Sequence, residues 1–124
     1  MLILIGWEVV YTDQFGTWWQ TLTDEQQDQI IAAVAVLEEK GPALGRPLVD
    51  RIASSRLSNL KELRVRKGGA LRILFVFDPL RQAMLLLGGD KTGRWEEWYR
   101  TAIPEAERLY LVYLDELRQE GLLS

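Results

Sequence analysis

Three β-runs follow one another between Leu60 and Gly89: "LKELRVR", "LRILFVFD" and "QAMLLLGG". The stretches between them are too short for anything but turns. Gly68-Gly69 offers the positive φ of a tight hairpin, and Pro79 helps reverse the chain at the second join. Runs joined this way are antiparallel neighbours. The first alternates, with Leu63 and Val65 on one face and Glu62, Arg64 and Arg66 on the other. The second is apolar on both faces apart from Arg72, the mark of a central strand. A two-residue and a three-residue loop at the Gly-Gly turn place Arg72 on opposite sides relative to Arg64, and both registers stand open.

The flanks read as helices around this sheet. "LILIGWEVVY", residues 2–11, is β-rich and predicts a first strand. "TDQFGTWWQTL" predicts a short helix capped by Thr12 or Asp13. In "TDEQQDQIIAAVAVLEEKG", Thr23 and Gln26 form a capping box, acids fill the first turn and Gly41 ends the helix. Ile30, Val34 and Leu37 give that helix one buried stripe. Pro42 to Ser58 reads as a connector, because its Gly and Pro residues break any period. "RWEEWYRTA" predicts one short helix. "IPEAERLYLVYLDELRQEG" predicts another, opened by Pro104, closed by Gly121 and striped by Ala106, Leu109, Tyr113 and Leu117. The order β-α-α-β-β-β-α predicts an α+β fold. It is a small antiparallel sheet with two N-terminal helices and a C-terminal helix, in one domain over residues 1–124.

Charge is segregated along the chain. Residues 1–44 carry net −6, residues 45–94 net +7 and residues 95–124 net −4. An otherwise acidic protein therefore builds one basic surface, concentrated around the Gly-Gly turn. Lys and Arg also protect strand edges from pairing, so the charge alone admits a structural reading. The chain has no His and no Cys, which removes thiol nucleophiles, Ser-His-Asp triads and the preferred ligands of zinc. Any catalysis falls to Arg, Lys, Tyr, Asp or Glu. No metal and no cofactor is expected, since no strand carries clustered carboxylates. The absence of Cys, of a long apolar run and of a basic leader points to the cytoplasm.

The middle segment resembles a known family. Glu62-Leu63-Arg64-x-Arg66, Gly68-Gly69 and Leu71-Arg72-Ile73 are followed by Gly88-Gly89-Asp90-Lys91-x-Gly93, Trp95, Trp98-Tyr99, Ile103-Pro104, Ala106 and Leu109-Tyr110. This pattern, over roughly residues 60–114, is similar to the phage-derived HigB-like toxins of the RelE/ParE superfamily. The resemblance implies a RelE-like fold and the toxin half of a type II toxin–antitoxin pair. It implies a metal-independent mRNA endoribonuclease (an mRNA interferase) working on translated mRNA, with the ribosome as a possible partner. It also implies a cognate helix-turn-helix antitoxin. Two other functions stay open: a ParE-like toxin that inhibits gyrase, and a non-catalytic protein-binding module.

RNA cleavage without metal uses in-line attack by the 2′-OH. It needs a base, an acid and a cationic brace for the phosphorane. Arg64, Arg66 and Arg72 are the candidates for the brace, because planar guanidinium matches phosphate oxygens. Arg72 leads, since a charge in an apolar central strand needs a partner or a task; the alternative is an ion pair with Glu62 or Asp78. Lys91, in a field of Arg, is a candidate base or a phosphate contact. Tyr99 is a candidate proton donor or acceptor, or packs beside Trp98 on the sheet. Lys61, Arg66, Lys67, Arg94 and Trp95 are candidate RNA-binding residues; the Trp residues also suit a core or a partner surface. Asp90 is expected to cap the turn after it.

Overall fold

The computed structural model describes residues 6–65, 70–90, 92, 93 and 95–123. A five-stranded sheet runs in the order β1-β5-β4-β3-β2. Its strands are β1 (Glu8–Tyr11), β2 (Val49–Arg51), β3 (Lys61–Val65), β4 (Leu71–Phe77) and β5 (Gln82–Asp90). Helices α1 (Asp13–Trp19) and α2 (Asp24–Lys40) precede β2, and α3 (Trp95–Gln119) follows β5. β4 sits in the middle, as its two apolar faces require.

The helices divide between the faces of the sheet. On one side Phe15 of α1 and Ile30, Ala33 and Leu37 of α2 pack on Leu63, Ile73, Phe75 and Leu85. On the other, Ala102, Ala106 and Leu109 of α3 pack on Leu74, Val76, Met84 and Leu86. The alternation of β4 supplies both cores: its odd positions feed the first and its even positions the second. The ladder between β4 and β5 slips by one residue at Leu74/Phe75, so Leu86 is the extra residue of a bulge.

Local signals in the sequence are realised where they are chemical. Thr12 caps α1 by accepting from the Phe15 N–H. The capping box of α2 is complete: Thr23 accepts from the Gln26 N–H at 3.1 Å, and the Gln26 side chain accepts from the Thr23 N–H at 3.0 Å. After α3, Gly121 takes φ 75°, and the Leu122 N–H donates back to the Leu117 carbonyl at 2.8 Å.

Four expectations are corrected. The sheet is mixed rather than antiparallel, because β1 pairs in parallel with β5, Glu8 opposite Gln82 and Tyr11 opposite Leu85. The connector holds an additional strand, β2, whose three residues are too few to show a period. The first strand is shorter than residues 2–11; it covers Glu8–Tyr11, with Gly6 and Trp7 outside it and residues 2–5 outside the described residues. The tail is one helix, with Pro104 inside it. Proline at that position forfeits the bond to the Arg100 carbonyl. The helix continues because Ala102 before it and Ala106 and Leu109 after it are buried on the same sheet face.

Gly88 and Gly89 stand near the end of β5 for a packing reason. A Cβ on Gly88 would run into the Trp18 indole of α1, and one on Gly89 into the Trp98 indole of α3. Adjacent residues of a strand face opposite sides, so the pair lets one indole approach the backbone closely on each face. This seats the first turn of α3 against the sheet and fixes where Tyr99 projects.

Candidate functional site

Four charged side chains form a staggered row across β2, β3 and β4 on the α3 face of the sheet. Asp50 of β2 stands directly across from Glu62 of β3. Arg64 of β3 stands directly across from Arg72 of β4. The register left open by the sequence is thereby fixed: Arg64 and Arg72 share one face, with residues 66–70 between the two strands. Arg66, Lys67 and the Gly68-Gly69 turn lie outside the described residues.

Like charges directly opposite one another destabilise a sheet. Here an acidic pair sits beside a basic pair, and Arg64 ties them together. Its Nε donates to Glu62 Oε1 at 2.8 Å and its Nη2 to Asp50 Oδ2 at 3.1 Å. The bond to Glu62, with the nearby Asp50 charge, raises the Arg64 pKa further above its ordinary value. Asp50 also accepts from Arg46 Nε at 3.1 Å, and its carboxyl is held below the usual carboxylate range by Arg46 first, then by the Arg51 N–H and the two cations.

Glu62 is the hub. It is only 3% exposed, a depth at which a carboxylate needs partners. Besides Arg64 it accepts from the Tyr99 hydroxyl, Oη to Oε2, at 2.6 Å. Arg72 approaches Glu62 Oε1 through Nε at 3.7 Å, an ion-pair distance too long for a hydrogen bond. Arg72 Nη1 donates to its neighbour's carbonyl, Leu71 O, at 2.9 Å, while the buried Nε has no hydrogen-bond partner among the described residues. Arg72 is the more deeply set of the two, its side chain 16% exposed against 31% for Arg64. The charged partner that the sequence offered for Arg72 is therefore Glu62. Asp78 instead holds the β4–β5 turn, accepting from the Leu80 and Gln82 N–H groups and the Tyr113 hydroxyl.

Tyr99 enters from the first turns of α3. Burial, then its bond to the Glu62 carboxylate, pushes its pKa up to about 12, while the Arg72 guanidinium pulls the other way. At neutral pH it is a phenol, so it can give a proton and not take one. Trp95 packs edge-on against it with ring centroids 6.4 Å apart, and Trp98 does so at 5.0 Å. Beside this charged row opens a groove of about 520 Å³, walled by Arg51, Glu62, Arg64, Trp95, Tyr99 and Arg100. A second hollow, about 480 Å³, lies between α1 and α2 on the other face; Val9, Phe15, Trp19 and Val34 make it apolar, with Glu38 its charged liner.

Of the residues singled out in the sequence, Arg64, Arg72, Tyr99 and Trp95 come together at or beside the groove. Lys61 does not: it pairs with Phe75 on the strand face of Leu63 and Val65, away from Glu62. Lys91 and Arg94 lie outside the described residues. Asp90 caps its turn, accepting from the Thr92 N–H at 2.9 Å, and its carboxyl is held below the ordinary value by Thr92. No signal in the sequence points to Asp50, and Glu62 stood out there only within the family pattern and as a counter-ion for Arg72. Asp50 hides in a three-residue strand, and its approach to Arg64 depends on strand pairing. Among the described residues no three acids converge as a metal site, and no helix is long and apolar enough to cross a membrane.

Comparison with known proteins agrees with this architecture. A family model described as "Phage derived protein Gp49-like" matches residues 17–111. The toxin candidates HigB2 and HigB3 of Mycobacterium tuberculosis are 44% identical over 112 residues and 46% identical over 100 residues. These matches take in 89% and 81% of this chain; it spans about half of HigB2 (55%) but 87% of HigB3. Among solved structures, a double mutant of the E. coli toxin RelE in the free state superposes with TM-score 0.62 at 12% identity, covering 83% of this chain and 96% of that one. RelE in the archaeal RelE–RelB complex of Pyrococcus horikoshii superposes with TM-score 0.55 at 13% identity, covering 70% and 97%. At such identities the structural likeness speaks for the fold.

Proposed function

The chain belongs to the Gp49-like family of phage-derived proteins and is HigB-like, and on that premise we propose that it is the toxin of a type II toxin–antitoxin pair, an endoribonuclease acting on translated mRNA. The observation that carries this reading is the convergence of Arg64, Arg72 and Tyr99 on the buried Glu62 carboxylate beside an open groove. Two cross-strand arginines facing each other cost stability unless they serve something.

The division of labour follows from each group's state. The 2′-oxygen attacks the adjacent phosphorus, the P–O5′ bond breaks, and the products are a 2′,3′-cyclic phosphate and a 5′-hydroxyl. Tyr99, held as a phenol, gives its proton to the departing 5′-oxygen. Arg72, the more deeply set of the two arginines, supplies guanidinium charge to the phosphate oxygens, whose geometry its planar donors match. Arg64 adds positive charge from the groove side. Charge grows on those oxygens in the transition state, so these contacts strengthen as the reaction proceeds. Glu62 keeps all three donors converged. Lys91 remains the candidate that takes the 2′-OH proton.

The partner in this reading is a helix-turn-helix antitoxin, and the site of action is the cytoplasm. RelE has been solved with RelB in the archaeal complex and in the intact E. coli RelBE toxin–antitoxin complex, which supports carrying an antitoxin partner over. A second reading, a protein-binding module without chemistry, draws support from one observation: Arg64 and Arg72 are matched in charge by Asp50 and Glu62.

Induced expression of the chain alone, with primer extension on cellular mRNA, separates the readings. The expected result is growth arrest with discrete new 5′ ends inside coding regions, relieved by co-expressing the cognate antitoxin. Arrest with DNA damage and intact mRNA overturns RNA cleavage in favour of gyrase inhibition. Unimpaired growth at confirmed soluble expression overturns both toxin readings.

A further inference from the structure

We infer that Asp50 is a positioning residue of this site, acting through Arg64. The inference rests on the endoribonuclease reading above and adds to it a residue from the far edge of the sheet. The Arg64 guanidinium is held at two points: Nε by Glu62 at 2.8 Å and Nη2 by Asp50 at 3.1 Å. Two anchors on a rigid plane fix its position and its tilt, which one anchor does not. Nη1, which has no hydrogen bond among the described residues, is then the end left for a phosphate.

Asp50 is unusual in where it stands. Its cross-strand neighbour is another carboxylate, Glu62, so the pair repels unless Arg64 lies between them. Both carboxylates are therefore needed by one guanidinium, and neither is a simple surface ion-pair partner. Glu62 is committed at its other oxygen to Tyr99. If Asp50 is removed, Arg64 is free to rotate about its bond to Glu62, and the guanidinium that Glu62 shares with the Tyr99 side of the site loses its fixed orientation. Arg46, the other cation on Asp50, is 78% exposed on the outer side and does not reach Glu62.

The test compares Asp50→Ala, Asp50→Asn and Arg46→Ala with the parent chain. Single-turnover cleavage of an mRNA held on programmed ribosomes is measured beside the dissociation constant of the same complex, the latter with an uncleavable 2′-deoxy analogue of that mRNA. Asp50→Ala is expected to slow cleavage by about 10- to 100-fold, since small misplacement of a catalytic group has costs of that order. Its affinity for the analogue should change less than threefold. Asp50→Asn, which keeps the acceptor oxygen without the charge, should restore most of the rate, and Arg46→Ala should match the parent. Parallel loss of rate and affinity, or failure of Asn to rescue at an unchanged melting temperature, overturns the positioning role. A parent chain that binds the analogue but cleaves no RNA overturns the endoribonuclease reading instead, which is a separable failure.

Discussion

The Tyr99 hydroxyl lies 2.6 Å from Glu62 Oε2, joining the start of α3 to the middle of β3. In the proposed endoribonuclease this bond serves both the fold and the chemistry, so Tyr99→Phe should show in two measurements. Loss of a hydrogen bond to a charged group costs about 1.5–3 kcal/mol, readable as a lowered urea midpoint. RNA cleavage should fall by about 10²–10⁴, the usual range for removing a general acid. A stable variant with parental cleavage would remove Tyr99 from the chemistry.

The same bond predicts alkaline behaviour. The folded pKa of Tyr99 is about 12 against an ordinary 10.0, so the folded state holds this proton more tightly than the unfolded chain. Its contribution to stability is complete below pH about 10 and is lost as pH rises through about 12. Tyr113 moves in the same direction, through burial and its bond to Asp78. Denaturant melts across this window should therefore steepen in their loss of stability. Tyr99→Phe should remove part of the slope while leaving the Tyr113 part.

Arg64 and Arg72 should separate when mutated. Arg64 makes the shorter bonds, to Glu62 and Asp50, so Arg64→Ala takes a cationic partner from each carboxylate and should lower stability by about 1.5–3 kcal/mol. Arg72 meets its counter-ion Glu62 at 3.7 Å and otherwise donates to the carbonyl of its own neighbour Leu71, so Arg72→Ala should melt close to the parent chain. Its cleavage rate should nonetheless drop by about 10²–10³. Arg72→Lys should rescue poorly, since an ammonium cannot reproduce the two-donor edge. A large drop in melting temperature for Arg72→Ala, with activity kept in the folded fraction, would make it a structural cation.

The glycine pair offers a test of packing. Gly89→Ala puts a methyl where the Trp98 indole lies, and overpacking of this kind costs about 1–3 kcal/mol. Since Trp98 seats the turn carrying Tyr99, cleavage should fall too. In a Trp98→Ala background the glycine substitution should cost much less. A double-mutant cycle in chemical denaturation measures that coupling, and additive effects would mean the indole is not the obstacle.

How far the sequence revealed this molecule differs by element. The capping box of α2 depends on Thr23 and Gln26 alone, so it was legible at once. The central place of β4 was legible because apolar residues on both faces admit nothing else. The parallel pairing of β1 was not, since strand direction depends on where a distant strand lies open. β2 is too short for periodicity, and the helix over Pro104 is held by burial that local propensity does not contain. The site divides the same way. Alternation put Glu62 and Arg64 on one face. The pairing of Arg64 with Arg72, the anchoring by Asp50 and the closure by Tyr99 are contacts between strands and helix, which composition and spacing do not encode.

The parallel partnership of β1 and β5 has a consequence for synthesis. Glu8 leaves the ribosome long before Gln82, the residue it pairs with, has been made. Tyr99 comes later still, after every strand. A nascent chain therefore carries an unpaired first strand, and Glu62, Arg64 and Arg72 wait for their fourth member until α3 emerges. The order of translation itself delays assembly of the site until the sheet that supports it can close, so a chain cut short before α3 would display the arginines without the phenol that completes them.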